Sequence, residues 1–195
     1  MRVAIVKYNA GNVCSVANAL ERIGVRHILS DDPGELLSAD RVVFPGVGEA
    51  STAMAYLRDR GLDETLKRIE APLLGICLGL QLLCDSSEEN DATCLGLVPG
   101  RVERFTQAPK VPHMGWSKIE MFDHPLFAGI PQQSYLYFVH SYRLGVGDDT
   151  IARCTYTEDF SAAVARRNYM GVQFHPEKSA EVGQRVLKNF VELKI

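Results

Sequence analysis

Residues 72–83 read PLLGICLGLQLL, and the reading of this stretch decides the fold. Pro72–Cys77 has the length and composition of a buried strand. The run from Leu78 to Cys84 continues directly from it as a helix. Cys77 stands at the junction, between Gly75 and Gly79. A sharp strand-to-helix turn lifts one side chain away from the sheet, and flanking glycines let the two elements approach closely. The helix points its N-terminus at the thiol, where partial positive charge favours a thiolate. Backbone N–H groups there can receive an oxyanion. Cys77 therefore reads as a nucleophile. Cys84 and Cys154, on apolar faces, read as small packing residues.

Outward from this junction the chain alternates strand and helix. Residues 2–8 (RVAIVKY), 25–30 (VRHILS) and 41–48 (RVVFPGVG) read as strands. Residues 11–24 form an amphipathic helix, with Val13, Val16, Ala17, Leu20 and Ile23 on one face and Gly24 as its C-terminal stop. Residues 49–61 and 62–69 read as helices broken at Gly61. Such alternation implies parallel strands joined by right-handed crossovers. After Cys84 the character changes. DSSEENDAT (85–93) reads as a polar loop, and short strands dominate from Leu97 to Gln173. Residues 179–195 close the chain as a helix with Ser179 as N-cap. The expectation is one α/β domain over 1–195, without internal repeat or linker.

The bulk numbers exclude several classes of function. Of 195 residues, 46% are hydrophobic and 23% charged, the balance of an ordinary globular chain. A net charge of −3 gives no reason to expect nucleic acid or an anionic membrane as partner. No apolar run approaches a membrane span, and the N-terminal one is too short for a signal peptide. Five cysteines, without C-x-x-C spacing, argue against a disulfide framework or a zinc site and suit a reducing cytoplasm.

A nucleophilic thiol needs a base. Of His27, His113, His124, His140 and His175, the last stands out in YMGVQFHPEKS (169–179). It closes a strand, at the edge where parallel α/β sheets keep their sites. Pro176 biases His175 toward extended backbone. On an extended chain Glu177 faces the same way and can orient the ring, the third role in a triad. The Leu78 N–H is one oxyanion donor. Val47, in the PGVG turn (45–48), is a second, on a peptide that two glycines leave free to flip.

With PGVG, GICLGLQLL and FHPEKS in this order, the chain resembles the class I (triad) glutamine amidotransferases over essentially its whole length. PHMGW (112–116) and YFVHSY (137–142) resemble the branch that feeds ammonia to a separate cyclase subunit, a (β/α)8 barrel, in histidine biosynthesis. The shared triad motifs alone leave open a subunit serving pyridoxal phosphate, anthranilate or purine synthesis, or a non-catalytic scaffold.

The resemblance implies a three-layer, flavodoxin-like fold, with a mixed, mostly parallel central sheet and helices on both faces. It implies hydrolysis of L-glutamine to glutamate and ammonia through Cys77, His175 and Glu177, with no cofactor and no metal. It further implies that Gly48, Gln81, Glu89, Ser141 and Tyr142 hold the substrate. Asn12, Trp116, Tyr137 and Lys178 match positions at the partner interface. KYNAGN (7–12) departs from the usual start of the family's first motif, which bears on partner contacts and not on the chemistry.

Overall fold

The computed structural model describes residues 1–9, 11–108 and 110–194. The first half alternates as expected: β1 (Val3–Val6), α1 (Val13–Arg22), β2 (His27–Ser30), α2 (Pro33–Leu37), β3 (Arg41–Gly46), α3 (Ala50–Asp59), α4 (Leu62–Lys67), β4 (Leu73–Cys77) and α5 (Leu78–Leu83). The second half is strand-rich: β5 (Ser86–Ser87), β6 (Ala92–Thr93), β7 (Arg101–Arg104), β8 (His113–Lys118), β9 (Glu120–Met121), β10 (Tyr135–His140), β11 (Tyr142–Leu144), β12 (Thr150–Thr155), β13 (Asp159–Arg166) and β14 (Tyr169–Val172). Helix α6 (Ala180–Glu192) follows.

Among the described residues, eight strands form one sheet in the order β2-β1-β3-β4-β14-β13-β12-β9. From β2 to β14 all pairs are parallel, and from β14 to β9 all are antiparallel. The parallel part has the flavodoxin-like order, so its ligand edge lies beyond the carboxyl ends of the strands. A two-stranded ribbon (β8, β10) and a four-stranded sheet (β11-β7-β5-β6) border that edge.

The parallel strands are apolar on both faces because both are covered. Val3, Ile5, Val43, Leu74 and Ile76 pack with α1 and α6 through Val16, Leu20, Val186 and Phe190. Ala4, Val6, Val42, Phe44 and Leu73 pack on the other side with α2 to α5, through Leu36, Met54, Leu57, Leu66 and Leu80. The sheet is thus the middle of three layers.

The structure departs from the sequence reading in several places. The polar run 85–93 holds β5, β6 and a short 3-10 turn (Glu89–Asp91) instead of a plain loop. Helix α2 begins where Asp32 caps the Glu35 N–H, a signal the composition of 31–40 concealed. Residues 134–142 (SYLYFVHSY), which read as one strand, break at Ser141 into β10 and β11, which belong to different sheets. Ser179 precedes α6 but does not cap it: its hydroxyl donates to the His175 carbonyl at 2.7 Å and accepts from the Tyr137 N–H at 2.9 Å. That exchange ties the site loop to β10.

Candidate active site

Cys77 takes φ 55° and ψ −107°, a strained backbone for a residue with a side chain. The glycines explain how the chain reaches it. A Cβ on Gly75 would lie 2.7 Å from the backbone of Gly79, and one on Gly79 would overlap the Phe44 carbonyl oxygen. Strand β4, strand β3 and helix α5 therefore meet at backbone contact, and Cys77 is the side chain left projecting from the sheet edge. It is 6% exposed. It opens on a cavity of about 380 Å3 lined by Val47, Gly48, Cys77, Leu78, Gln81 and Glu89, with Pro112 and residues 139–142 completing the wall. All five residues expected to hold substrate, and both expected oxyanion donors, border this one cavity.

His175 and Glu177 lie behind the thiol. His175 is fully buried, with φ −100° and ψ 95°, the extended backbone that Pro176 favours. Its Nδ1 is 2.7 Å from Glu177 Oε1, and the Glu177 side chain is fully buried too. The two do not meet by strand alternation. Strand β14 stops at Val172, and the 3-10 turn Pro176–Lys178 folds Glu177 back onto the ring. The ring's Nε2 has no hydrogen-bond partner among the described residues. Burial pushes the imidazole pKa down, but the Cys77 sulfur and the Glu177 carboxylate outweigh it and hold it up at about 10. With Nδ1 held by Glu177, Nε2 is the free nitrogen of the ring.

The remaining expected residues show what else holds them. Gln81 is buried; its amide N–H2 donates to the Tyr142 carbonyl (2.9 Å) and to Gln173 Oε1 (3.0 Å). Its amide oxygen is left for the cavity. Glu89 Oε2 accepts the Ala50 N–H at the start of α3 (2.8 Å), and burial raises its pKa. Asn12, expected at a partner interface, also touches the His175–Glu177 pair: its amide donates to Glu177 Oε1 and lies 3.4 Å from His175 Nδ1. Trp116 and Tyr137 face each other across the β8–β10 ribbon with ring centroids 6.0 Å apart, and the Lys178 ammonium lies 6.0 Å from the Tyr137 ring.

Sequence reading missed Gln173, which is fully buried with Nε2 3.6 Å from the Cys77 sulfur. It also missed the histidine pair His113 and His140, joined Nδ1 to Nε2 at 3.0 Å. In each case the signal was a polar residue in an apolar strand segment, where burial demands a partner.

The arrangement can deliver a thiolate, a base and oxyanion donors to one point, which is the equipment of acyl transfer. A family model described as glutamine amidotransferase class-I matches residues 7–193, and this is the class that the fold and the site define. Relatives make the assignment narrower. The imidazole glycerol phosphate synthase subunit HisH of Bacteroides fragilis is 48% identical, covering 99% of this chain and 100% of that protein. That of Vibrio cholerae is 49% identical, covering 98% of both. The chain belongs to the HisH subunits of the class-I glutamine amidotransferase family. Solved structures agree on the fold. One titled glutamine amidotransferase is 21% identical with a TM-score of 0.77 and covers 97% of both chains. A glutamine amidotransferase from Thermotoga maritima is 20% identical with a TM-score of 0.65, covering 98% of this chain and 83% of its own.

Proposed function

We propose that Cys77, His175 and Glu177 carry out the glutamine hydrolysis of this family, in one domain that spans the chain. The observation that carries this reading is the Cys77 elbow opening on the cavity with the Glu177-oriented His175 behind it. The thiol proton passes to His175 Nε2. The sulfur then attacks the side-chain carbonyl carbon of glutamine, forming the S–C bond. The tetrahedral oxyanion is received by the Leu78 and Val47 N–H groups. As the C–N bond breaks, His175 gives its proton to the departing nitrogen, and ammonia leaves a glutamyl thioester. Water adds to the thioester with its proton going to His175. The C–S bond breaks, glutamate leaves and the proton returns to sulfur. Glu177 keeps the Nδ1–H tautomer and stabilises the imidazolium.

The amino-acid end of glutamine has a set of suitable partners. The free amide oxygen of Gln81 and the Glu89 carboxylate suit its ammonium group. The backbone at Ser141 and Tyr142, with Gly48 in the wall, suits its carboxylate.

Ammonia released into water would be protonated and lost to synthesis. The chain accordingly delivers it to a cyclase subunit, a (β/α)8 barrel. The joint products are imidazole glycerol phosphate and an aminoimidazole carboxamide ribotide. An uncovered face supports such docking. Along β8 and β10 the outward positions Met114, Trp116, Lys118, Tyr135 and Tyr137 remain partly or largely exposed, while Leu136, Phe138 and His140 turn into the core. An aromatic ribbon of this kind next to a reactive thiol suits a partner interface. Among the described residues no helix is long and apolar enough to cross a membrane. The five free cysteines suit work in a reducing cytoplasm.

The test mixes the chain with the purified cyclase of imidazole glycerol phosphate synthase and its nucleotide substrate. Glutamine alone should then support product formation, and Cys77→Ser should abolish it while added ammonium salt restores it. A mixture that responds only to ammonium salt, even with the unaltered chain, would overturn the reading.

A further inference from the structure

Gln173 lies in the segment that supplies His175, yet no step above uses it. Burying an amide is costly unless its groups are bonded. Both ends of this one are: Oε1 accepts from Gln81 at 3.0 Å, and Nε2 donates to the Cys77 sulfur at 3.6 Å.

The direction of these bonds follows from their neighbours. Amide nitrogen and oxygen have nearly the same shape, so orientation must be argued from partners. The Tyr142 carbonyl only accepts, so Gln81 must turn its N–H2 group toward it. The same nitrogen faces Gln173, which must answer with oxygen. The Gln173 N–H2 group is then left for the sulfur. The Tyr142 carbonyl is held from its other side by His140 Nδ1–H at 2.8 Å. His140 Nε2 accepts from His113 Nδ1, and His113 Nε2 accepts from the Ser117 hydroxyl at 2.8 Å. Burial keeps both rings neutral, with pKa values pushed down to about 3 for His140 and about 4 for His113. A neutral imidazole has one donor and one acceptor, as this chain requires. From Ser117 to Cys77 every bond has one possible direction.

We propose that Gln173 is a catalytic residue: its amide N–H stabilises negative charge on the Cys77 sulfur, both before attack and when thiolate leaves the glutamyl thioester. Gln81 is the positioning residue that keeps this N–H aimed. The buried sulfur has little water to solvate its charge, and a fixed dipole costs no reorganisation at the moment of reaction. This inference rests on the reading of Cys77 as nucleophile.

The titratable groups facing Cys77 are His175 with Glu177 behind it, Tyr8, and His140 and Glu89 in the cavity wall. None is altered by the test. In a Cys14→Ser background, which removes the exposed thiol, the rate of Cys77 alkylation by iodoacetamide is followed against pH by peptide mass spectrometry. The full chain is used, alone and with the cyclase subunit. Gln173→Met keeps the volume and removes the donor. It should raise the apparent pKa of alkylation by about one unit, a roughly tenfold slower reaction at a given lower pH. Gln81→Met leaves Gln173 in place but unaimed, and should shift the profile less, in the same direction. A purely structural glutamine would lower the melting temperature and leave the profile where it was. An unchanged profile in folded Gln173→Met overturns the proposal, and if that variant does not fold, an unchanged profile in Gln81→Met does so. Alkylation of the parent anywhere but Cys77 would instead refute the nucleophile reading.

Discussion

Substituting Gly75 by alanine tests how tightly the nucleophile elbow is built. The added methyl would meet three backbone atoms of α5, Gly79 C at 2.7 Å and Gly79 O and Leu80 N at 2.8 Å. Ordinary van der Waals contact begins at 3.4 Å, so the start of α5 must withdraw from β4 by about 0.7 Å. No side-chain rotation relieves a clash with backbone, and Phe44 closes the other side of Gly79. Overpacking of this kind costs about 1–3 kcal/mol. For a chain of this size a cost near 2 kcal/mol lowers the melting temperature by roughly 4–8 °C. The catalytic loss should be larger in proportion. Leu78 and Gln81 travel with α5, so the proposed oxyanion donor and a cavity wall move relative to His175. Misplacement approaching 1 Å can cost on the order of a hundredfold, and a 10- to 100-fold fall in glutaminase turnover is expected. Thermal unfolding and glutamate release with the cyclase subunit are the assays. Gly145→Ala, which meets no atom within 4 Å, is the control and should change neither. A Gly75→Ala protein with unaltered melting temperature and turnover would refute the account of the elbow.

Glu177→Gln leaves an oxygen for the two donors that share Oε1, His175 Nδ1–H and the Asn12 amide, but removes the charge that stabilises the imidazolium and puts an N–H2 where the buried Oε2 has no partner among the described residues; turnover should fall by roughly 10²–10⁴ with substrate affinity little changed, seen as a drop in kcat at constant KM. The buried neutral histidines give an acid limb to stability. Their folded pKa values lie below the unfolded value of about 6.5, so the unfolded chain binds more protons and stability falls as pH drops from about 6.5 through 4 toward 3. Denaturant midpoints should therefore decline over that range, and His140→Gln should decline less steeply. His175 acts in the opposite sense: its raised pKa contributes stability that is complete below about 6.5 and lost as pH rises through about 10. Trp116→Ala should weaken cyclase association about tenfold or more in titration calorimetry while leaving the melting temperature of the free chain unchanged, because half of this residue's surface is already exposed.

The parts of the site that sequence revealed are those where a local rule leaves few options. Glycines on both sides of Cys77 at a strand–helix junction permit one geometry, and the structure has it. A histidine before proline is extended, and His175 is. What stayed hidden depends on distant partners. Ser179 has the residue type of an N-cap, but the Tyr137 N–H and His175 carbonyl compete for its hydroxyl and win. Glu177 reaches His175 through a turn whose formation no periodicity announces. Asn12 is separated by more than 160 residues from the carboxylate it holds. Gln81 and Gln173 look like stray polar residues in apolar runs until the fold brings them within 3.0 Å of each other and into line with the sulfur. Strands of two residues are decided by their neighbours rather than by their own sequence: β5 pairs with β7, and β6 with β5.

If Cys77 is the nucleophile, glutamine turnover passes through a thioester that can be trapped. The chain, in complex with the cyclase subunit and its nucleotide ligand, is mixed with glutamine, quenched in acid within one turnover and digested for mass spectrometry. The expected result is a glutamyl adduct on the Cys77 peptide alone, discharged by hydroxylamine and absent from Cys77→Ser. Glutamine hydrolysis that continues in Cys77→Ala, or an adduct on any other residue, would contradict it.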